Sequence, residues 1–498
     1  MTFRPDTWAA ALAAALGLAL ALAGCSQTTP DLPPRPGAEG SPAFTRLLAD
    51  ADRAMADGAL PDAGRILDEA RSLAPQNPDL WLAIARLRLR GGEHLAALEA
   101  ADRALALGPD HAPALLLRAL MVRDAHGAGE ALAWFEAARA ADPDNPDILA
   151  EHAATLGDSG AAGAMLQNVR KLAAVAPGDP RVPYLQAVLA ARGGRYATAQ
   201  SLLAKSGMAA RGVPAAVQLD AVIGLAQGNA ASAAARLEEL AARQPANPRV
   251  RELYARALFA AGREEALVRR FGEEAALPEA SPYLVMLVAR AHERLGNRAA
   301  AAPLLARAYA PMKGGPALLA VRDGLPPPTA DLRRMLWAGN AKKARTQGAA
   351  LRARFPASAD VAALAGDGLL AAGDPRAALT AWALASEARR PWPITRKAVW
   401  TFTRHGNRAA ADLLLTRQVA GEPQTASALI VLAERQAARG DWRRTGLLLD
   451  HALTLGAGHD PALLALRARA AREAGDAAAA ERFAALLAEV RPRGLSES

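Results

Sequence analysis

The 498-residue chain holds one cysteine, Cys25. With no thiol beyond it no intrachain disulfide can form, and stability must come from packing alone. Aromatic residues are scarce at 4%, which speaks against a nucleic-acid surface, where bases stack on aromatic rings. The eight histidines are scattered and form no ligand pair. His292-Glu293 opens like a metalloprotease helix but lacks the second histidine four residues on, so zinc has no site. No phosphate loop closing on Gly-Lys-Ser/Thr occurs, and no dinucleotide fingerprint. Gly157-Asp158-Ser159-Gly160, with His152 upstream, has the letters of a serine-hydrolase box, but a turn between helices explains it fully. Past residue 25 no apolar run is long enough for a membrane helix. The expectation is no enzyme, no cofactor and no metal.

What is present is a beat. Gly58, Gly92, Gly160, Gly194, Gly228, Gly262 and Gly296 stand in phase at a spacing of 34 residues, and only the slot at 126 departs, where His126 precedes Gly127. Ala51, Ala85, Ala119, Ala153, Ala187, Ala221, Ala255 and Ala289 keep the same period without a gap. Prolines follow it at 146, 180, 214, 248 and 282, and again at 75, 109, 143, 177 and 245. Such a period means stacked supersecondary units that bury their faces against neighbours. In Asn77-Pro78-Asp79-Leu80-Trp81 the proline sits where a helix starts and its missing N–H costs nothing. Gly91-Gly92 ends that helix in the left-handed conformation, a second helix runs from about 93 to 107, and Pro109 stops it. Small residues such as Ala85 and Ala97 let the paired helices approach closely. Ala63, Ala131, Ala199, Ala233 and Ala301 share the second slot, with Met165 and Leu267 as exceptions.

Trp81, Ala85, Gly92, Ala97 and Pro109 in one unit, and Ala131, Phe135, Ala138 and Pro143 in the next, resemble the tetratricopeptide repeat family. The resemblance implies an all-α, right-handed superhelical solenoid of antiparallel helix pairs, with about 13 repeats over nearly the whole mature chain. It is specific for fold and nearly silent on activity. The phase slips once, by nine residues, between Gly296 and Gly339. Gly314-Gly315-Pro316 and Pro326-Pro327-Pro328 mark the place, since three prolines cannot continue a helix. The chain therefore divides into a first array at 44–310 of about eight repeats, a linker or insertion at 311–328, and a second array at 329–492 of about five. Gly366, Ala378, Trp382 and Ala385 form the clearest unit of the second array. Its last repeat carries Glu481, Arg482, Glu489 and Arg491, a polar face fit for the end of a stack. A short tail, 493–498, follows.

Residues 1–25 read as a secretory signal, an Ala/Leu run from Trp8 to Leu22 ending in Leu22-Ala23-Gly24-Cys25-Ser26. Leu-Ala-Gly-Cys resembles the bacterial lipobox, which implies acylation of Cys25; the other reading is an ordinary signal peptide that contains a cysteine. Ser26, rather than Asp, resembles lipoproteins forwarded to the outer membrane. The implied location is the bacterial envelope, with the chain on the inner leaflet of the outer membrane, facing the periplasm and held to it through the lipid anchor only. Residues 26–43, rich in proline, read as a disordered tether extending about 3.1 Å per residue.

The formal charge is +9. In the tetratricopeptide family the first helix of each pair lines the concave face. By that analogy the groove holds Arg86, Arg123, Arg181, Tyr184, Gln218, Arg249, Arg256, Tyr283 and Arg290, diluted by Asp79, Asp147, Glu252 and Glu293. A mildly basic groove suits acidic peptides or an anionic polysaccharide, with arginine apt for bidentate carboxylate contact; the other reading is a set of ordinary solvated arginines. A second basic stretch holds Arg333, Arg334, Lys342, Lys343, Arg345, Arg389, Arg390, Trp392, Arg396, Lys397, Trp400 and Arg404, a mixture able to stack on sugars. Trp400, counted 34 residues from Gly366, falls on the small-residue slot, which predicts that it packs between helices.

Together these features describe a protein–protein interaction scaffold with partners in an envelope complex. Its leading expected task is assembly or export of a secreted polymer such as an exopolysaccharide. A pilus or secretion-channel assembly factor, a regulator of peptidoglycan enzymes and a direct anionic-glycan binder are the alternatives.

Overall fold

The computed structural model describes residues 41–309 and 328–490, apart from 246, 278, 279, 391, 456 and 459. The signal segment, nearly all of the tether, the 311–328 linker except Pro328, and the tail fall outside the described residues. Within them the chain is all-α, and no strand occurs. The helices of the first array pair as α1 (Pro42–Ala56) with α2 (Leu60–Leu73), α3 (Pro78–Arg90) with α4 (His94–Leu107), and α5 (Ala112–His126) with α6 (Ala128–Ala141). Next come α7 (Pro146–Asp158) with α8 (Ala162–Val175), α9 (Arg181–Arg192) with α10 (Tyr196–Ser206), and α11 (Pro214–Ala226) with α12 (Ala230–Arg243). The last two pairs are α13 (Pro248–Ala260) with α14 (Glu264–Ala276), and α15 (Pro282–Arg294) with α16 (Arg298–Tyr309). Beyond the linker stand α17 (Thr329–Trp337), α18 (Ala341–Arg354), α19 (Ala359–Ala371), α20 (Pro375–Ala388) and α21 (Trp392–Arg404). Then follow α22 (Arg408–Gly421), α23 (Ala426–Ala437), α24 (Trp442–Thr454), α25 (Pro461–Glu473) and α26 (Ala477–Val490). Each helix packs on its hairpin partner and on the next pair, the arrangement of a tetratricopeptide-type solenoid.

The combs map onto single physical tasks. Every comb glycine in both arrays has positive φ, from +67° at Gly262 to +87° at Gly160, and no other residue type does among the described residues. The alanines of the first-helix comb are all 0% exposed, from Ala51 to Ala289, so each stands where two helices leave no room for more than a methyl group. Prolines occupy the first turns of α3, α7, α11, α13 and α15. The residue before them often caps the helix: Asn77 Oδ1 accepts from the Asp79 N–H at 2.8 Å and Asn145 Oδ1 from the Asp147 N–H at 3.0 Å. Arginines at the ends of α3, α9 and α15 reach back 35 residues to last-turn carbonyls of the preceding first helix, Met55, Gly157 and Phe259. There they add a second donor to carbonyls that already accept from the N–H of the turn glycine, and they place positive charge at the helix's negative end.

The departure at 126 has a structural cause. Helix α5 runs 15 residues where α3 runs 13, and the single residue Gly127, at φ +90°, joins it to α6. The shortened turn is where the second array returns to touch the first. Helix α20 packs on α4 and α5, and α22 on α6, so the tenth and eleventh helix pairs lie against the second and third, eight repeats back. The Leu95 N–H donates across this junction to the Ala357 carbonyl at 3.0 Å.

Trp400 departs from its expected place. The step from Gly373 to Gly406 is 33 residues, not 34, so Val399 takes the buried slot at 5% exposure. Trp400, one residue on, is half-buried with the Arg404 guanidinium 5.3 Å from its ring centre.

Candidate functional site

The nine residues expected along the concave face separate into two kinds. Arg123 binds Glu151 at 3.0 Å, Arg181 binds Asp147 at 2.7 Å and Asp179 at 2.6 Å, and Arg290 binds Glu293 at 2.7 Å. These three are neutralised within the chain, half of the partner carboxylates standing on a neighbouring first helix and half local to the arginine, and the Asp179 and Asp147 contacts push the Arg181 guanidinium further above its ordinary range. Arg86, on α3, is exposed and lies apart from the residues that come together below. Tyr184, half-buried on α9, packs among apolar residues of its own hairpin and of the hairpins on either side, and burial raises its hydroxyl pKa.

The other four come together. Gln218 on α11, Arg249 and Arg256 on α13, and Tyr283 on α15 line one open depression of about 360 Å³. Leu219, Val222, Glu252 and Leu253 complete it. The lining repeats at the solenoid period, since 218 and 252, 219 and 253, 222 and 256, and 249 and 283 are each 34 apart. On α13 the four positions 249, 252, 253 and 256 follow the i, i+3, i+4, i+7 rule for one helix face. Leu219, Val222 and Leu253 form an apolar floor, with Val222 44% exposed. Arg249 and Arg256 are exposed, and neither side chain has an ion pair or hydrogen bond among the described residues. Between them burial raises the Glu252 carboxyl pKa, against the opposing pull of a Ser281 hydrogen bond and of Arg251 and Arg249. Tyr283 is raised by burial as well. The site therefore offers two unshared guanidinium groups beside a greasy shelf and a carboxyl group that resists ionisation. Such a surface can hold carboxylates bidentately while apolar side chains cover the floor. The floor leucines and Val222 were not expected from the sequence, although stepping back 34 residues from Leu253 and Arg256 points to Leu219 and Val222.

A second depression, of about 390 Å³, is lined by Gln200, Asn229, Ser232 and the ion-paired Asp220 and Arg236. Its charges cancel each other, so it offers no net attraction to an ion.

The second basic stretch does not form one exposed surface. Arg333, Arg390 and Lys397 are 3%, 6% and 2% exposed, and Lys397 Nζ donates to both carboxylate oxygens of Asp367 at 2.7 and 2.6 Å. Arg389 pairs with Asp360 at 3.1 Å. Only Arg334, Lys342, Lys343, Arg345 and Arg404 remain as exposed members, and Arg334 pairs with Asp331. Arg389 and Arg390 went inside where the two arrays meet, and Lys397 where two helix pairs of the second array meet.

The Gly157–Gly160 segment ends α7. Ser159 Oγ donates to the Leu156 carbonyl at 2.8 Å, and His152 is buried, its ring stacked on Phe135 at 5.7 Å. Neither side chain is placed as nucleophile or base. Among the described residues no group of three His, Cys, Asp or Glu side chains could hold a metal ion. None of the described helices is long and apolar enough to cross a membrane.

No family model matches the chain and no curated protein matches it. Several solved structures are similar. One is PilW, a widely conserved type IV pilus biogenesis factor, at 20% identity and a TM-score of 0.34 over 41% of this chain and 94% of that one. Another is TTC0263, a tetratricopeptide protein of Thermus thermophilus, at 19% identity and a TM-score of 0.31 over 37% and 98%. The Cut9–Hcn1 hetero-tetramer of the APC/C is similar over 90% of this chain and 87% of its own, at 10% identity and a TM-score of 0.31.

Proposed function

We propose that this chain is a non-enzymatic scaffold that binds other proteins through the depression on α11, α13 and α15. In this reading an acyl chain on Cys25 ties it to the bacterial envelope, on the periplasmic face of the outer membrane, and it organises assembly or export of a secreted polymer. The observation that carries the binding role is the pair Arg249 and Arg256, exposed and unshared above the Leu219, Val222 and Leu253 floor. Most other arginines tested for the groove spend their charge inside the chain, so these two are held in reserve for a partner. The partner segment that fits is acidic and carries at least one apolar side chain. The anchor and its destination rest on Leu22-Ala23-Gly24-Cys25-Ser26 and on the proline-rich stretch that follows.

The test is crosslinking in cells with a C-terminally tagged chain, followed by mass spectrometry, for the parent and for Arg249→Glu/Arg256→Glu. Loss of a protein from the double variant supports the binding site; an unchanged set of attached proteins rejects it. An outer-membrane channel or polymer synthase among the lost proteins supports the export role. Pilins or a secretin, or wall synthases and hydrolases, would replace that role with one of its rivals. A Cys25→Ser chain that still fractionates with membranes would reject the lipid anchor.

A further inference from the structure

The junction between the arrays brings two stretches of backbone into direct contact. Two glycines meet there: a Cβ on Gly421 would overlap the His126 carbonyl, and one on Gly127 would overlap the Gly421 carbonyl. Gly129 lies so close to the Ala420 carbonyl that a Cβ would stand 3.1 Å from it. Around this backbone contact the second array sets Arg389 against the His94 ring and Arg390 against the His126 backbone. Arg389 Nη1 lies 3.3 Å from His94 Nε2, and Arg390 Nη2 donates to the His126 carbonyl at 3.4 Å. Arg417 and Glu130 pair across the junction at 3.9 Å.

We propose that this junction is a releasable clasp that closes one eight-repeat turn of the solenoid, shut while His94 and His126 are neutral and opened when they are protonated. A guanidinium keeps its charge at any working pH, so a neutral imidazole nitrogen can accept from it and an imidazolium cannot. Protonation would also bring like charges together in a partly desolvated contact, where they repel more than in water. Around His126 stand Arg118 on its own helix, Glu130 on α6, Arg390 just beyond α20, and Arg417 and Glu422 at the end of α22. Burial lowers the His126 pKa most, Arg390 adds to this, Glu130 opposes it, and Arg118 and Arg417 lower it further. Around His94 stand Arg389 with its partner Asp360 on α19, while Glu93 beside it is engaged by Arg88 at 2.6 Å. The sign follows from the His126 shift. A histidine whose pKa is depressed in the closed form favours closure above its ordinary value of 6.5, and that contribution is lost as pH falls through the lowered pKa. Since α11, α13 and α15 lie in the turn between the clasped ends, release frees the helices of the depression to change their curvature.

The experiment uses the full mature chain with Cys25→Ser and spin labels on Glu136→Cys in α6 and Arg408→Cys in α22, read by pulsed dipolar spectroscopy. At pH 7.5 a single short distance is expected, and at pH 5 a longer, broader population, with helix content by circular dichroism unchanged. Gly421→Ala is expected to give the long population at both pH values, because alanine suits a helix better than glycine while its Cβ blocks the contact. His94→Gln/His126→Gln is expected to stay closed at pH 5. A distance that ignores both acid and Gly421→Ala overturns the clasp. Acid opening that persists in the double glutamine variant, or that comes with loss of helix, overturns its control by histidine.

Discussion

The first array and the start of the second solve the same packing problem with different chemistry. From α1 to α16 the slots between helices hold alanine at 0–2% exposure, with Met165 and Leu267 as large substitutes, and the buried set is overwhelmingly apolar. From α17 to α22 the buried set includes Arg333, Asp360, Asp367, Arg390, Thr395, Lys397, Thr401 and Gln418. A helix pair that meets only its neighbours needs little more than small residues in phase. The second array instead buries charged and polar groups within and between its own helix pairs, and such directional contacts select one arrangement where apolar contact would accept several. The Asp367–Lys397 pair, both side chains 2% exposed, and the Thr395 hydroxyl donating to Gln418 at 2.6 Å are contacts of that kind.

The contrast can be broken most forcefully at its ionic centre. Asp367→Ala leaves Lys397 buried without its counter-charge and is expected to cost about 3–5 kcal/mol in denaturant unfolding. The double variant Asp367→Leu/Lys397→Met should recover most of that loss, and if it does not, the pair is doing more than neutralising itself. In the first array the sensitive quantity is volume instead. Ala119→Leu overfills a 0% exposed slot and is expected to cost about 1–3 kcal/mol. At a turn, Gly92→Ala forces a methyl group into φ +75° and should cost about 1–2 kcal/mol. Asn145→Ala removes the cap on α7, a loss of about 1 kcal/mol.

The smallest effect belongs to the depression and sharpens the comparison through pH. The raised Glu252 pKa means that its contribution to stability is fully present below the ordinary value near 4.5 and is lost as pH rises through the folded value. Glu252→Gln should therefore raise the midpoint of thermal unfolding slightly at pH 7.5 and not at pH 4. A gain that is equal at both would show that the carboxyl ionises there as freely as in water.

Much of this fold was legible because each comb residue has a single task. The glycines are the only residues with positive φ among the described residues, the alanines fill the closest crossings, and the prolines start helices or follow their ends; period alone locates them. The irregular slot at His126-Gly127 was visible as well, but not its meaning, because a contact between residues 126 and 421 leaves no trace in a local period. The same blindness placed Arg390 and Lys397 on a surface. Charge composition cannot distinguish a solvated arginine from one facing a carboxylate 30 residues away, as Lys397 faces Asp367. At the depression the phase led to Gln218, Arg249, Arg256 and Tyr283 but also to Arg123, Arg181 and Arg290, whose ion-pair partners only the folded chain brings into reach.

Binding at the depression is the central claim, and a photo-crosslinking amino acid at Val222 tests it most directly in living cells. The expected result is crosslinking to a discrete partner protein from position 222, abolished by Arg249→Glu/Arg256→Glu and absent from a control probe at the exposed Leu73 on α2. Equal crosslinking from both positions, or none from Val222, would contradict the claim that these three helices form the protein's binding site.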